Sequence, residues 1–508
     1  MAGRLAFEVF IFSIPFILFG LYVLATASAE EEGKRKWPVQ ILFLSGMALA
    51  TVTWFVLIAL EKKERDVCHE PARYENGVII PARDYPCEQN VRDVTHQISR
   101  RASRKPRRRI APMTPIERIA PPWLTHPGTR AVMAALEAAR PAGSRFVGGC
   151  VRNVFRATTH SDDDIDIATQ LEPPAVIAAL QAAGIRALPT GIEHGTITAI
   201  FDRRPFEITT LRRDVETDGR RAVVAFTENW AEDAARRDFR LNALYADADG
   251  NVAEPISGSL ADAKSGRVIF IGDGDERLRE DYLRILRFFR FNAWYGEAID
   301  RPGLDACARQ KAGLQKIAAE RIWKELKKLL AAPDPSAAML AMEECGVLEE
   351  ILPGAHADGV VALCEAERQA RLDVDPMRRV MAMLPRRGRE MDAVAHRLRL
   401  SNDEHRRLSA WASAGMGHVQ GLAPRDLHAS IYAYGHEAVA DRALLEAAQT
   451  EQVSDLAARL KAIMNWPRPG FPIGGDDALA AGLAGQDVGK ALRAAEAAWI
   501  DSDFTLGR

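Results

Sequence analysis

The sequence predicts a small mixed α/β unit set between an N-terminal helical hairpin and an all-helical C-terminal half. Three observations predict it. Two uncharged apolar runs, Val9–Ala29 and Pro38–Leu60, open the chain. From Arg145 to about residue 250, strand-like alternation is interleaved with helical patterns and Gly/Pro punctuation. Beyond Leu330 the chain is Ala/Leu/Arg-rich and reads as helix throughout. At 508 residues it has room for several units, with expected boundaries at 1–60, 61–112, 113–260, 261–332 and 333–508. Composition is globular, 47% hydrophobic and 27% charged with a net charge of −2. Without a global basic surplus, any nucleic-acid contact has to come from local patches.

Each apolar run is long enough to cross a hydrocarbon core ~30 Å thick at ~1.5 Å per residue. Together they predict a transmembrane hairpin through residues 9–60, closed by the charged loop Glu30–Trp37. The run ISRRASRKPRRR follows the second span, and positive flanks stay in the cytosol. That places the rest of the chain on the cytoplasmic face of the inner membrane, although Lys34, Arg35 and Lys36 in the short loop pull the other way. Residues 61–112 read as a basic linker in preference to a lipid or RNA contact. Met113 opens MTPIERIAPPWL, which looks like the start of a separate soluble protein, so the hairpin reads as a fusion. Cys68, Cys87, Cys150, Cys307, Cys345 and Cys364 lack metal-like spacing and read as reduced thiols.

In the α/β unit, RFVGG is a strand entering a tight turn at Gly148–Gly149, where bare backbone N–H groups can approach a phosphate. Cys150–Thr158 reads as a short helix, and DDIDIA as the next strand. Its period-2 pattern puts Asp164 and Asp166 on one face and turns Ile165 and Ile167 into the core. Two carboxylates beside a phosphate cradle suit two-metal phosphoryl or nucleotidyl transfer, with Mg²⁺ as the expected ion. Pro173–Gly184 is a helix ended by its glycine. TITAIF and FEITTL form a hairpin, and Glu207 on its second strand is either a third acidic group or simply solvated. RRDVETDGRRAVVAF reads as a charged Gly-containing turn between apolar flanks, a mobile loop, and ENWAEDAARRDFRLNALYADADG as a helical segment gathering Arg236, Arg237, Asp238, Arg240 and Asn242.

These motifs carry a resemblance. GGCVR…DIDIAT, TGIEHGTIT, RRDFRLNALYAD, GDGDERLREDYLRILRFFRF and ERIWKELKKLL occur in the order seen in class II CCA-adding tRNA nucleotidyltransferases and bacterial poly(A) polymerases. The likeness covers roughly residues 140–350. It implies a nucleotidyltransferase head followed by all-α neck, body and tail, acting on the tRNA 3′ end with CTP and ATP. Gly148, Gly149 and Arg152 would hold the triphosphate, and Asp164 and Asp166 the Mg²⁺, with Glu207 a third carboxylate. Arg237 and Asp238 would engage phosphate and ribose. Asp281 and Arg284 would read the base, with Arg287 and Arg290 near the phosphates. Asn153 stands where the family usually has Asp, and Arg240-Leu241 where Thr-Ile or Thr-Met is common.

Hydrogen-bond chemistry supports the base-reading assignment. On one helix, Asp281, Arg284 and Arg287 would span ~120° of a single face, with Arg290 drifting toward the opposite side. A carboxylate accepts from an exocyclic amino group while a guanidinium donates to the adjacent ring nitrogen. Cytosine and adenine fit that template; guanine and uracil present the reverse polarity. The C-terminal half is expected to hold tRNA phosphates or merely solvated faces along the basic stretch Arg378–Arg407, and Ser401–Glu404 fits a capping box. His356, His396 and His405 read as structural. Two readings compete with CCA addition: poly(A) synthesis on the same scaffold, and a membrane-associated nucleotide-sugar glycosyltransferase built on the Asp-x-Asp pair.

Overall fold

The computed structural model describes residues 67–70, 73–75, 78–80, 83–86 and 114–506, the last range without 157–163, 218–221, 387, 414–417 and 420. Backbone alone is described for the four short stretches before 87 and for 214–217, 222–224, 388–390 and 413. The chain divides into two compact units, residues 1–109 and 110–508. In the first, Val67–Glu70 (β1) pairs antiparallel with Arg83–Pro86 (β4), and Arg73–Glu75 (β2) with Val78–Ile80 (β3). The stretch expected as linker therefore carries two ladders. Asn76-Gly77, the pair most favoured in two-residue hairpin loops, lies between β2 and β3 in sequence. The expected membrane spans, Val9–Ala29 and Pro38–Leu60, lie outside the described residues. Among the described residues no helix is long and apolar enough to cross a membrane.

The second unit opens with an eight-stranded sheet. Its strands are Glu117–Arg118 (β5), Ser144–Val147 (β6), Ile165–Thr169 (β7), Arg186–Gly191 (β8), Thr196–Phe201 (β9), Arg204–Thr210 (β10), Tyr245–Ala246 (β13) and Asn251–Ala253 (β14). They lie in the order β5-β14-β13-β6-β7-β10-β9-β8. At its centre β7 pairs antiparallel with β6 and parallel with β10. Period-2 alternation decides the two faces. Ile165, Ile167, Phe206 and Ile208 are buried in the main core, which also contains Leu136 of Pro127–Ala139 (α1) and Leu180 of Pro173–Ala182 (α3). Asp166, Ala168 and Glu207 face the other way, where Val147, Ala168, Trp230 and Tyr245 form a smaller core. The β9–β10 hairpin turns through Asp202 and Arg203, both left-handed at φ 48° and 64°, as a primed turn requires.

Two sequence expectations in this unit are corrected. The expected mobile loop contains a two-stranded antiparallel sheet, Arg212–Thr217 (β11) with Ala222–Phe226 (β12). The Gly-containing turn between apolar flanks is legible at Asp218-Gly219, with Val215 before it and Val223 and Val224 after it, but those flanks are paired strands rather than loop. The segment read as helical is helix only over Trp230–Ala235 (α4), followed by a 3-10 turn at Arg240–Asn242. Between them Phe239 is extended and bridges to Phe270. The Asp238 side chain accepts the N–H of Phe239 at 2.9 Å, a local bond that competes with the helix ladder.

Two helices follow the sheet, Gly274–Glu280 (α6) and Leu283–Tyr295 (α7), after the short Gly149–Phe155 (α2) and Ser259–Ser265 (α5) earlier in the chain. Asp281 does not share one continuous helix with Arg284 and Arg287. It sits in the break between α6 and α7 with extended backbone (φ −151°, ψ 103°), and its Oδ1 accepts the N–H of Leu283 at 3.0 Å. Further on, Arg301–Gln310 (α8) precedes Ala319–Leu330 (α9), which buries Trp323, Leu326, Leu329 and Leu330. The remainder is helical to Gln486–Asp501, as expected. Ser401 and Glu404 form the reciprocal cap at the start of Asn402–Ser413: the Ser401 N–H donates to Glu404 Oε2 at 2.9 Å, and the Glu404 N–H donates to Ser401 Oγ at 3.3 Å.

Much of the basic stretch Arg378–Arg407 is used internally. Arg379, 1% exposed, pairs with Glu367 at 2.8 Å and donates to the Leu330 carbonyl at 2.7 Å and to that of Ala332. Arg378 and Arg407 both reach Asp375 and Asp441, and Arg397 donates to the Ile351 carbonyl at 2.7 Å. Removing one partner of a buried pair such as Arg379–Glu367 leaves an uncompensated charge, at a cost on the order of 3–5 kcal/mol.

Candidate active site

The acidic half of the site is built by strand register. β6 ends at Val147, and Gly148 follows at φ 73°, a conformation that strains any residue with a Cβ. A Cβ added to Gly148 would lie 3.5 Å from Asp166 Oδ2, so the turn and the carboxylate are immediate neighbours. Asp166 lies directly across from Glu207 in the parallel β7–β10 ladder, and Asp164 is exposed just before β7. Sequence spacing could not reveal that register, because β10 is reached only after two intervening strands.

Burial raises the Asp166 carboxyl to about 6, with Glu207 and Asp164 adding to the rise and Arg237 and Arg152 opposing it. For a half-buried carboxylate beside two others, the two arginines do not offset burial and like charge, and a hard cation with oxygen ligands is the natural complement. Among the described residues, however, no three His, Cys, Asp or Glu side chains converge as a ready-made metal cluster. Asp164 and Asp166 therefore fit a cation as a pair that needs further oxygens, such as those of a triphosphate.

The cationic half is a network around Asp238, which is 8% exposed. Its Oδ2 accepts from both Nε (2.8 Å) and Nη2 of Arg287, and its Oδ1 accepts from Asn242 Nδ2 at 3.0 Å. Burial alone would raise this carboxyl, but Arg287, Asn242 and the Phe239 N–H hold it below the usual carboxylate range. Asn242 Oδ1 accepts in turn from Arg152 Nη1 at 2.7 Å. The Arg152 guanidinium lies 3.8 Å from the Tyr295 ring centroid and 5.2 Å from that of Phe291, and its Nη2 donates to Asn153 Oδ1 at 2.8 Å. Arg152 is thus fixed inside the network and largely covered, at 5% exposure. Asn153 keeps the contact to Arg152 as a neutral acceptor, and Arg240 is absorbed by Asp262 at 2.6 Å.

Arg237 is gripped by side chains that motif reading passed over. It donates to Tyr245 Oη at 3.0 Å and to Asp233 Oδ2 at 3.1 Å, while Tyr245 donates to the same Asp233 oxygen at 2.7 Å. Burial works against the Asp233 charge, yet Arg237, Arg236 and Tyr245 hold its carboxyl at about 2. The available signal was the i,i+4 spacing of Asp233 and Arg237.

Asp281 and Arg284, expected to read the base, are brought close but not joined. The Arg284 N–H donates to the Asp281 carbonyl at 3.0 Å, yet Arg284 Nη1 donates to Glu280 Oε2 at 2.6 Å and to the Arg277 carbonyl at 2.8 Å. Asp281 Oδ2 lies 3.4 Å from Arg321 Nη2 on α9. Arg290 pairs with Glu325, also on α9, at 2.9 Å and lies outside the Asp238 network. Among the sequence candidates, then, Gly148, Asp164, Asp166 and Glu207 form one group, and Arg152, Asp238 and Arg287 another. Arg237 borders both, and Arg290 ties α7 to α9.

A family model described as the poly A polymerase head domain matches residues 144–269, and one described as the probable RNA and SrmB-binding site of polymerase A matches residues 298–358. Over 376 residues the chain is 32% identical to the mitochondrial CCA tRNA nucleotidyltransferase 1 of Mus musculus, which spans 71% of this chain and 84% of that protein. Among solved structures, the CCA-adding enzyme of Bacillus stearothermophilus in complex with CTP superposes with a TM-score of 0.57 at 22% identity, covering 75% of this chain and 94% of that one. The Thermotoga maritima CCA-adding enzyme complexed with tRNA superposes with a TM-score of 0.57 at 15% identity, covering 78% and 97%. The structural likenesses show a shared fold.

A cation held by Asp166 would bind its ionised form, so its affinity would be coupled to that titration. Affinity for Mg²⁺ or Mn²⁺ is expected to be level above about pH 7 and to fall toward tenfold per unit below about 6. Cation titrations of the nucleotide-free protein between about pH 5 and 8 check this. An affinity unchanged across that range contradicts the placement of Asp166 as a ligand.

Proposed function

The chain belongs to the CCA tRNA nucleotidyltransferase family, and we propose that it adds C, C and A in turn to the 3′ end of tRNA from CTP and ATP, without a nucleic-acid template. The observation that carries this reading is the joining of a carboxylate pair at a Gly-Gly turn to a base-reading segment through Asp238–Arg287. In this reading the Gly148–Gly149 backbone and Arg237 receive the triphosphate, and Arg152 and Asp238 fix the floor beneath the sugar. Asp164 and Asp166 hold Mg²⁺, which supplies activation of the attacking 3′ hydroxyl and neutralisation of the leaving pyrophosphate. Glu207, across the ladder, keeps the local potential negative enough to retain that charge.

An incoming base exchanges partners with the protein. Asp281 leaves Arg321 to accept the exocyclic amino group, and Arg284 leaves Glu280 to donate to the ring nitrogen. Each group already has a partner, so neither is left buried and unpaired before the nucleotide arrives. A base of reversed polarity breaks these ion pairs without replacing them.

Primer tRNA lacking its 3′ CCA, incubated with each nucleotide separately and in combination, tests the reading. CTP alone is expected to give two additions, CTP with ATP three and then arrest, and UTP or GTP none. A growing run of A in ATP alone would favour poly(A) synthesis, and transfer from a nucleotide sugar the glycosyltransferase. Asp281→Ala should lower both CTP and ATP incorporation about ten- to a hundredfold, for ~1–3 kcal/mol, while discrimination against UTP and GTP shrinks.

Residues 9–60 read as a membrane hairpin with a basic flank, so we further propose that the enzyme is held at the cytoplasmic face of the inner membrane. Fractionation of cells making the full-length chain checks this. Activity sedimenting with membranes, and released by detergent but not by salt, is expected. Full-length protein found wholly in the soluble fraction sinks the idea.

A further inference from the structure

α9 runs alongside α7 in the same direction and meets it at three levels. Arg321 reaches Asp281 just before α7, Glu325 pairs with Arg290 midway, and the Trp294 indole N–H donates to the Lys328 carbonyl at 2.8 Å near its end. At ~100° per residue, Arg321, Lys324 and Lys328 fall within an arc of about 60°, opposite the buried Trp323, Leu326, Leu329 and Leu330. All three side chains are exposed. Lys327, outside that arc, is occupied by Glu404 at 2.7 Å. Neither Lys324 nor Lys328 has an ion-pair partner among the described residues. Glu320 borders the stripe at its Asp281 end, so the uncompensated positive charge lies toward Lys328.

Trp294 stands beside that charge. It is 41% exposed, although Phe288, Phe289 and Phe291 of the same helix are buried. The bond to the Lys328 carbonyl fixes the indole, so its open face is a rigid platform rather than a swinging side chain. A positive track with an aromatic face at its margin is how proteins hold single-stranded nucleic acid: cations follow the phosphates, and the ring stacks on a base of any identity.

We propose that Trp294 and the stripe Arg321–Lys324–Lys328 form the track for the unpaired 3′ end of the tRNA primer, with the indole stacking on one of its bases. The stripe is on the order of 10 Å long and runs from Trp294 toward Asp281, so it leads a strand toward the base-reading break. This rests on the CCA-adding reading above. An acidic protein is the competing occupant, and it would not need the indole to stack.

The test uses the full chain with Lys324→Glu/Lys328→Glu, Trp294→Ala and Trp294→Phe, all outside the carboxylate and Asp238 groups. Binding and CTP addition are measured with tRNA lacking CCA over a range of salt. The double lysine variant is expected to weaken tRNA binding about tenfold or more, to flatten the log–log salt dependence by about 1–1.5, and to leave the KM for CTP unchanged. Trp294→Ala should weaken tRNA about tenfold while Trp294→Phe stays close to the parent. A parent that adds CCA, together with variants that bind tRNA as it does, overturns the track. Equal losses in the Phe and Ala variants overturn the stacking role. A parent that adds nothing to tRNA overturns the underlying reading, and the inference with it.

Discussion

One buried carboxylate organises the catalytic end of this protein. Asp238 has given up water, and that cost is offset only because Arg287, Asn242 and a backbone N–H all point at it. Each donor comes with a structural element attached. Arg287 brings α7, which carries Arg284 and begins two residues after Asp281. Asn242 brings Arg152 and, through it, the helix after the Gly-Gly turn. The turn in turn abuts Asp166. Remove Asp238 and the acidic and cationic halves lose their shared reference, because the guanidinium of Arg287 loses its hydrogen-bonded carboxylate and keeps only the charges of Glu325 and Asp281 beside the Phe291 ring.

The two halves are charged in opposite senses, and that division has a chemical purpose. On the sheet side burial, Glu207 and Asp164 raise the cost of ionising Asp166, which favours a cation arriving with its own oxygens. On the helix side the arginines are held by Asp233, Glu280, Asp238 and Glu325, so their positions are set before any phosphate approaches. In the proposed reading a nucleoside triphosphate would complement both at once, with its metal-bound oxygens at the sheet and its sugar and base at the helices. Preorganised donors of this kind need no rearrangement at the moment of transfer, which is where most electrostatic catalysis originates. The base-reading pair is the exception. In the proposed reading Asp281 and Arg284 would exchange Arg321 and Glu280 for the base, so selection would fall where the ion pairs are replaceable.

Legibility followed the range of the interactions. The Gly-Gly turn, the Asp-x-Asp strand, the β9–β10 hairpin and the Ser401 cap were all readable, because each depends on neighbours a few residues away. Glu207 was readable as a candidate only. Its place opposite Asp166 comes from a parallel pairing across two intervening strands. Asp281 was misplaced on a continuous helix because helical spacing says nothing of a side chain that bonds the next N–H and breaks the ladder. The basic stretch around Arg379 and Arg407 was misleading for a related reason. Its partners, Glu367 and Asp441, come from helices elsewhere in the chain, and charge counting treats an ion pair as two solvated groups. Even so, Asp233 and Glu280 stood at i,i+4 from the arginines they hold, and attention to that spacing would have found both.

The claim that Asp238–Arg287 joins the two halves is tested most directly by a double-mutant cycle on Asp238→Asn and Arg287→Met, followed by unfolding free energy and by the KM for CTP. Arg287 is about one-third exposed, so solvent screening keeps the expected coupling at about 1–3 kcal/mol. The account predicts that each single variant loses stability and weakens CTP, and that the double variant is little worse than either one. Losses that simply add, with a coupling near zero, would show that the halves are held together elsewhere.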